Sequence, residues 1–96
     1  MKIASDEIEI RGAWIADGDH IVGDESCKRI EWLVSSVLER VPGRLVAGGW
    51  EVLYRDPGDG RDWEQGYPQG ELHGGGPPML RFIPESEARK KYGLDG

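Results

Sequence analysis

WEVLYRDPGDGRDWEQGYPQGELHGGGPP, residues 50–78, is the stretch whose reading decides the fold. Trp50 to Asp56 alternates between apolar and polar residues, Pro57-Gly58-Asp59-Gly60 carries turn chemistry, and Arg61 to Tyr67 returns. A four-residue loop sets the register, with Asp56 opposite Arg61, Arg55 opposite Asp62, Tyr54 opposite Trp63, Val52 opposite Gln65 and Trp50 opposite Tyr67. One face then stacks Trp50, Val52 and Tyr54 against Trp63 and Tyr67, and this face is expected to pack on a helix. Leu53 on the other face has the polar neighbours Glu51, Arg55, Asp62 and Glu64, so that face is expected to meet water or a partner.

Outward from the hairpin, the spacing of Cys27, Ile30, Leu33, Val34, Val37, Leu38 and Val41 predicts one long helix over residues 24–41. Asp24 caps its first amides, and Pro42-Gly43 stops it. Cys27 lies on the apolar stripe and reads as a core thiol, while Trp32 lies off it. Residues 8–16 alternate, with Ile8, Ile10, Trp14 and Ala16 on one side, and predict a strand that Asp17-Gly18-Asp19-His20 breaks. Ile21 and Val22 are left as a short bridge. Residues 79–83 are a further short strand. Residues 84–92 form a short helix with early acids, late bases and Gly93 at its end. The expected architecture is α+β: an antiparallel sheet of about four strands from residues 8–16, 50–56, 61–67 and 79–83. The long helix crosses one face, within a single domain of residues 1–96.

Charge narrows the partner. The formal charge is −6, and residues 1–25 hold seven acids against Lys2 and Arg11, so most of the excess is N-terminal. Phosphate neutralisation needs a basic face, so direct nucleic-acid binding is not expected. An acidic patch suits a basic partner, or simply keeps a small domain soluble. No apolar run reaches the roughly 18 residues that span a bilayer. One cysteine and an N-terminus, MKIASDEIEI, without signal-peptide character lead to an expected cytoplasmic location and no membrane partner.

The Glu71–Pro78 loop invites an enzyme reading. His73-Gly74-Gly75-Gly76 is similar to the oxyanion-hole loop of lipases, but Ser5, Ser26, Ser35, Ser36 and Ser86 lie in no nucleophile elbow. A metal is not expected, because His20, His73 and Cys27 are too few ligands, and no cofactor signature is present. An acid–base pair of Glu71 and His73, beside Trp63 and Tyr67, stands as the alternative: a small enzyme or small-ligand binder. The competing reading gives these residues a shaping role, with the glycines allowing close backbone approach and Pro77-Pro78 stiffening the exit.

Leu53-Tyr54-Arg55-Asp56-Pro57, Asp59-Gly60-Arg61, Trp63-Glu64, Tyr67-Pro68-Gln69 and Glu71-Leu72-His73-Gly74-Gly75-Gly76-Pro77-Pro78 resemble the bacterial immunity protein 27 family. Glu87-Ala88-Arg89 and Lys91-Tyr92-Gly93 extend the likeness, and Ile10, Gly12, Trp14, Cys27, Arg29 and Ile30 fit more loosely. Gly70 and Pro84 depart from the pattern, where serine and a capping serine or threonine are expected.

The resemblance implies a non-catalytic antidote encoded beside a polymorphic toxin. Such an antidote acts in the cytoplasm by occluding the toxin domain, in many systems a nuclease with a basic cleft. The contacts expected for that role are Asp17, Asp19, Asp24, Glu25, Arg55, Asp59, Asp62, Glu64, Glu71 and His73. The signature residues Trp50, Tyr54, Asp56, Pro57, Gly60, Trp63, Tyr67, Pro68, Leu72, Gly74, Gly75, Gly76, Pro77 and Pro78 are expected to shape the fold.

Overall fold

The computed structural model describes residues 3–68 and 76–94. In chain order the elements are β1 (Glu9–Arg11), β2 (Trp14–Asp17), β3 (His20–Gly23), α1 (Glu25–Ser36) and β4 (Glu39–Arg40). A single 3-10 turn at Ala47–Gly49, β5 (Val52–Arg55), β6 (Asp62–Gly66), β7 (Met79–Ile83) and α2 (Glu85–Tyr92) follow. The fold is α+β, with a five-stranded antiparallel sheet in the order β1-β7-β6-β5-β4 and a separate two-stranded hairpin, β2-β3.

The central hairpin has the register its loop dictates: Val52 faces Gln65, Tyr54 faces Trp63 and Arg55 faces Asp62. Side chains build the loop itself. Asp56 accepts the Gly58 amide at 2.8 Å, Asp59 accepts the Arg61 amide at 3.0 Å, and Gly60 takes a φ of +77° that a side chain would resist.

Alternation along β5, β6 and β7 gives the sheet two buried faces. On one, Ile30 and Leu33 of α1 pack with Ile10, Leu38, Trp63 and Leu80, flanked by Tyr54 and Phe82. On the other, Leu53 and Ile83 pack with Ala88 and Tyr92 of α2. Full burial of side chains such as Ile30 or Leu33 contributes about 1.5–3 kcal/mol each. The face carrying Leu53, expected to meet water or a partner, is therefore covered by α2. That helix ends on Gly93 at φ +67°, as its C-terminal glycine foretells, and Pro84 stands just before its first turn as the capping residue.

Three other expectations are corrected. The long helix stops at Ser36 instead of running to residue 41, although Asp24 caps it as expected, accepting the Cys27 amide at 2.9 Å. Beyond Val37 the sheet claims the backbone: Glu39 and Arg40 pair with Arg55 and Tyr54, and the Val41 amide donates to Leu53 at 2.9 Å. Pro42 reinforces this by favouring an extended residue before it.

The strand expected over 8–16 is broken at Gly12. There the backbone passes so close to Pro78 and Cys27 that an added Cβ would lie 2.8 Å from the Pro78 carbonyl oxygen and 2.5 Å from Sγ of Cys27. Ile10 stays in the core, whereas Ile8, Trp14 and Ala16 are exposed. The residues expected only to break this strand form the turn of the β2-β3 hairpin, with Gly18 at φ +63°.

Trp50, expected in the core, is 67% exposed. The ladder ends at Val52, but Trp50 still meets Tyr67, the rings edge to face at 5.4 Å and 88°.

Candidate functional site

The acidic N-terminal residues fall on and beside the β2-β3 hairpin. Every residue of β2 is exposed, and the hairpin presents Trp14, Ile15 and Ile21 to solvent. Asp17 pairs with His20 at the tip, and Asp19 sits in the exposed turn between them. Glu25 is exposed in the first turn of α1, 3.4 Å from Lys28. Trp14 and Ile21 lie on one face of the hairpin and Ile15 on the other, and exposed apolar side chains rimmed by charge are what a monomer shows where it meets another molecule. Asp24 is different: its carboxylate is used as the helix cap, and the Cys27 amide lowers its pKa.

The expected contacts on the central hairpin divide by burial. Arg55 is exposed and pairs with the buried Asp62 at 3.0 Å. Asp59 is exposed and binds Arg61 at 2.7 Å, which with the Arg61 amide lowers its pKa. Arg61 lies 4.9 Å over the Trp63 ring and donates to the carbonyls of Glu7 at 2.7 Å and Ala4 at 2.9 Å, holding the N-terminal segment against the hairpin. Glu7 is fixed from the other side by Arg29 at 2.6 Å, and this bond, with the Ala4 amide, brings its pKa down to about 2. The sequence pattern missed this anchor, because Glu7 and Arg29 are 22 residues apart.

Glu64 is 2% exposed and accepts three donors: Arg81 Nε at 2.9 Å, Lys91 Nζ at 2.8 Å and the Tyr92 hydroxyl at 2.6 Å. Arg81 continues to Glu87 at 2.9 Å, and Lys91 to Glu51 at 3.2 Å. Burial acts to raise the Glu64 pKa, but the bonds from Lys91 and Tyr92 and the charges of Lys91 and Arg81 outweigh it and hold the carboxyl below its usual value. The Tyr92 hydroxyl is pushed up by burial and by that same carboxylate. Glu64, expected to face a partner, thus ties α2 to the sheet.

Cys27 is half-buried, its Sγ donates to the Ala13 carbonyl at 3.5 Å, and burial raises its pKa. Among the described residues no three His, Cys, Asp or Glu side chains gather where they could hold a metal. No described helix is long and apolar enough to cross a membrane. Glu71, Leu72, His73, Gly74 and Gly75 lie outside the described residues. The exit of their loop does not: Gly76 and Pro77 are buried, and the Pro78 carbonyl accepts the Gly12 amide at 2.9 Å.

Neither the curated proteins nor the solved structures contain a match to the chain. The model of one family does match, over residues 16–84, from the exposed hairpin through α1 and the central sheet to the start of α2. That stretch includes the loop-building Asp56, Asp59 and Gly60, the buried Trp63 and Glu64, and the Pro77-Pro78 exit, so the chain belongs to the family described as immunity protein 27.

Proposed function

We propose that this protein binds a cognate toxin domain in the cytoplasm and neutralises it by covering its active site, without catalysis of its own. The observation that carries the reading is the β2-β3 hairpin of a chain in this family: Trp14 and Ile21 exposed on one face and Ile15 on the other, with Asp17 and Asp19 at the tip and Glu25 close by in sequence. Apolar area supplies affinity, and the surrounding acids steer a basic partner and exclude acidic ones.

A nuclease fits as the target, because its phosphate-binding cleft is basic and carboxylates can occupy it in place of nucleic acid. The proposed contact surface comprises Asp17, Asp19, Glu25, Arg55 and Asp59, all exposed. Glu71 and His73 join it on the strength of the family signature. Asp24, Asp62 and Glu64 serve the fold.

The test is co-purification with the toxin encoded beside this gene, followed by calorimetry and a toxin-activity assay. A stoichiometric complex that silences the toxin is expected. Purified protein that neither binds nor inhibits that toxin overturns the reading.

A further inference from the structure

A cavity of about 340 Å³ opens next to the outer end of the central hairpin, away from the acidic arm in sequence. Trp50, Tyr67, Pro68, Met79 and Gly66 give it mostly apolar walls, and its charged lining is the carboxylates of Glu51 and Glu64 and the guanidinium of Arg81, which Glu64 and Glu87 bind. We propose that this cavity is a receptor for an arginine side chain of the toxin. This rests on the neutraliser reading for the identity of the partner, though not for the chemistry of the cavity.

Three observations converge on a guanidinium. First, the charges around the cavity do not cancel. Among the described residues Glu51, Glu64 and Glu87 share two cations, Arg81 and Lys91, so one negative charge is left over. Glu64 is saturated by its three donors, whereas Glu51 gives Oε1 to Lys91 and turns Oε2 toward Gly66 on the cavity wall. Second, Trp50 stands edge to face with Tyr67 and keeps 67% of its surface exposed, leaving ring area at the mouth on which a planar cation stacks. Third, apolar walls in which two carboxylates, Glu51 and Glu64, outnumber the one lining cation, Arg81, suit a group with an aliphatic stem and a positively charged end, which is the form of an arginine side chain.

Gly66 is what keeps the space open. A Cβ there would meet nothing nearer than Glu51, at 3.7 Å, so a side chain at this position takes up space in the cavity that Gly66 lines.

The first arm of the test titrates the full-length protein with N-acetyl-arginine amide and, separately, with its neutral isostere N-acetyl-citrulline amide. The Trp50 indole and Gly66 amide resonances are followed by NMR. Arginine amide is expected to shift them saturably in the millimolar range, with citrulline amide at least about tenfold weaker. Glu51→Gln is expected to erase most of that difference. Equal response to the two amides, or no response to arginine amide at tens of millimolar, overturns the proposal.

The second arm compares toxin affinity of the wild type with Trp50→Ala and Gly66→Val, each checked for an unchanged thermal unfolding profile. A loss of about tenfold or more in each is expected. If the wild type binds toxin and both variants bind it equally well, the cavity proposal fails and the neutraliser reading stands. If the wild type does not bind the toxin, that reading fails, and the amide titration alone decides the chemistry of the cavity.

Discussion

Tyr92 donates a 2.6 Å hydrogen bond to Glu64 across 28 residues of sequence, and this contact pins α2 over the face of the sheet opposite α1. The carboxylate is buried, so the hydroxyl helps to replace the water Glu64 gives up on folding. Tyr92→Phe keeps the ring and removes only that donor, and is expected to cost about 1.5–3 kcal/mol, the range for a hydrogen bond to a charged group. Tyr92→Ala, which also empties the contact with Leu53 and Ile83, is expected to cost about 3–5 kcal/mol. Urea unfolding of the two variants separates the bond from the packing. Equal losses would mean the packing adds nothing beyond the bond, and no loss in Tyr92→Phe would mean the hydrogen bond contributes nothing.

Acid is expected to weaken the fold through Glu7 and Glu64. Both have pKa values below their ordinary 4.5 in the folded state, Glu7 at about 2. A depressed folded value means the stabilisation is complete above pH 4.5 and is lost as pH falls toward about 2. The urea midpoint should therefore hold between neutrality and pH 4.5 and drop steadily below it. Glu7→Gln should flatten part of that drop, and an unchanged slope in this variant would remove Glu7 from the account.

Trp63 is fully buried, and its indole nitrogen has no acceptor among the described residues. An unpaired buried donor costs about 1–3 kcal/mol, so Trp63→Phe forfeits packing but also relieves that cost. Its net loss should fall well below the roughly 3–5 kcal/mol expected for Trp63→Ala. Thermal melts of the two variants are enough to check the ordering.

At Gly12 the obstacle to a side chain is contact with neighbours. Gly12→Ala is expected to destabilise by about 1–3 kcal/mol, as overpacking does. One of the two clashing atoms is Sγ of Cys27 and the other is backbone. Cys27→Ala should accordingly rescue part of the loss and not all of it, and a double-mutant cycle reads the coupling directly. Strict additivity would contradict the geometry.

Ile21 and Asp19 lie on the exposed arm, touching no buried cluster. Ile21→Lys with Asp19→Lys is expected to leave unfolding free energy within about 0.5 kcal/mol while weakening toxin binding. The remaining affinity should also respond less steeply to salt, since the variant removes screened charge attraction. Toxin binding that equals wild type at low and high salt would place the interface elsewhere.

Sequence made the central hairpin legible to the level of register, because turn chemistry and a period of two are local and agreed with each other. Residues 79–83 were legible as a strand, though not in their pairing, and α2 as a helix, because its charge order and terminal glycine are local. What local pattern could not supply was competition from distant strands. Val37, Leu38 and Val41 continue a helical spacing, yet β5 takes the backbone of residues 39–41. Leu53 looked isolated among polar neighbours because Tyr92, which covers it, arrives some forty positions later. Among the expected partner contacts, exposure at Asp17, Asp19 and Glu25 followed from turns and a helix start. The burial of Asp62 and Glu64 depended on α2 and was invisible to alternation.

The β2-β3 hairpin shares no strand ladder with the five-stranded sheet; the Asp24–Ala13 backbone bond closes its own base, and the Gly12–Pro78 backbone bond ties the chain entering it to the start of β7. An inserted or deleted residue in its turn would therefore shift two strands against each other and leave the pairing of the other five undisturbed. A lineage under pressure to follow a changing opponent can rewrite this arm repeatedly, while Trp63, Glu64 and Tyr92 keep the same body beneath it.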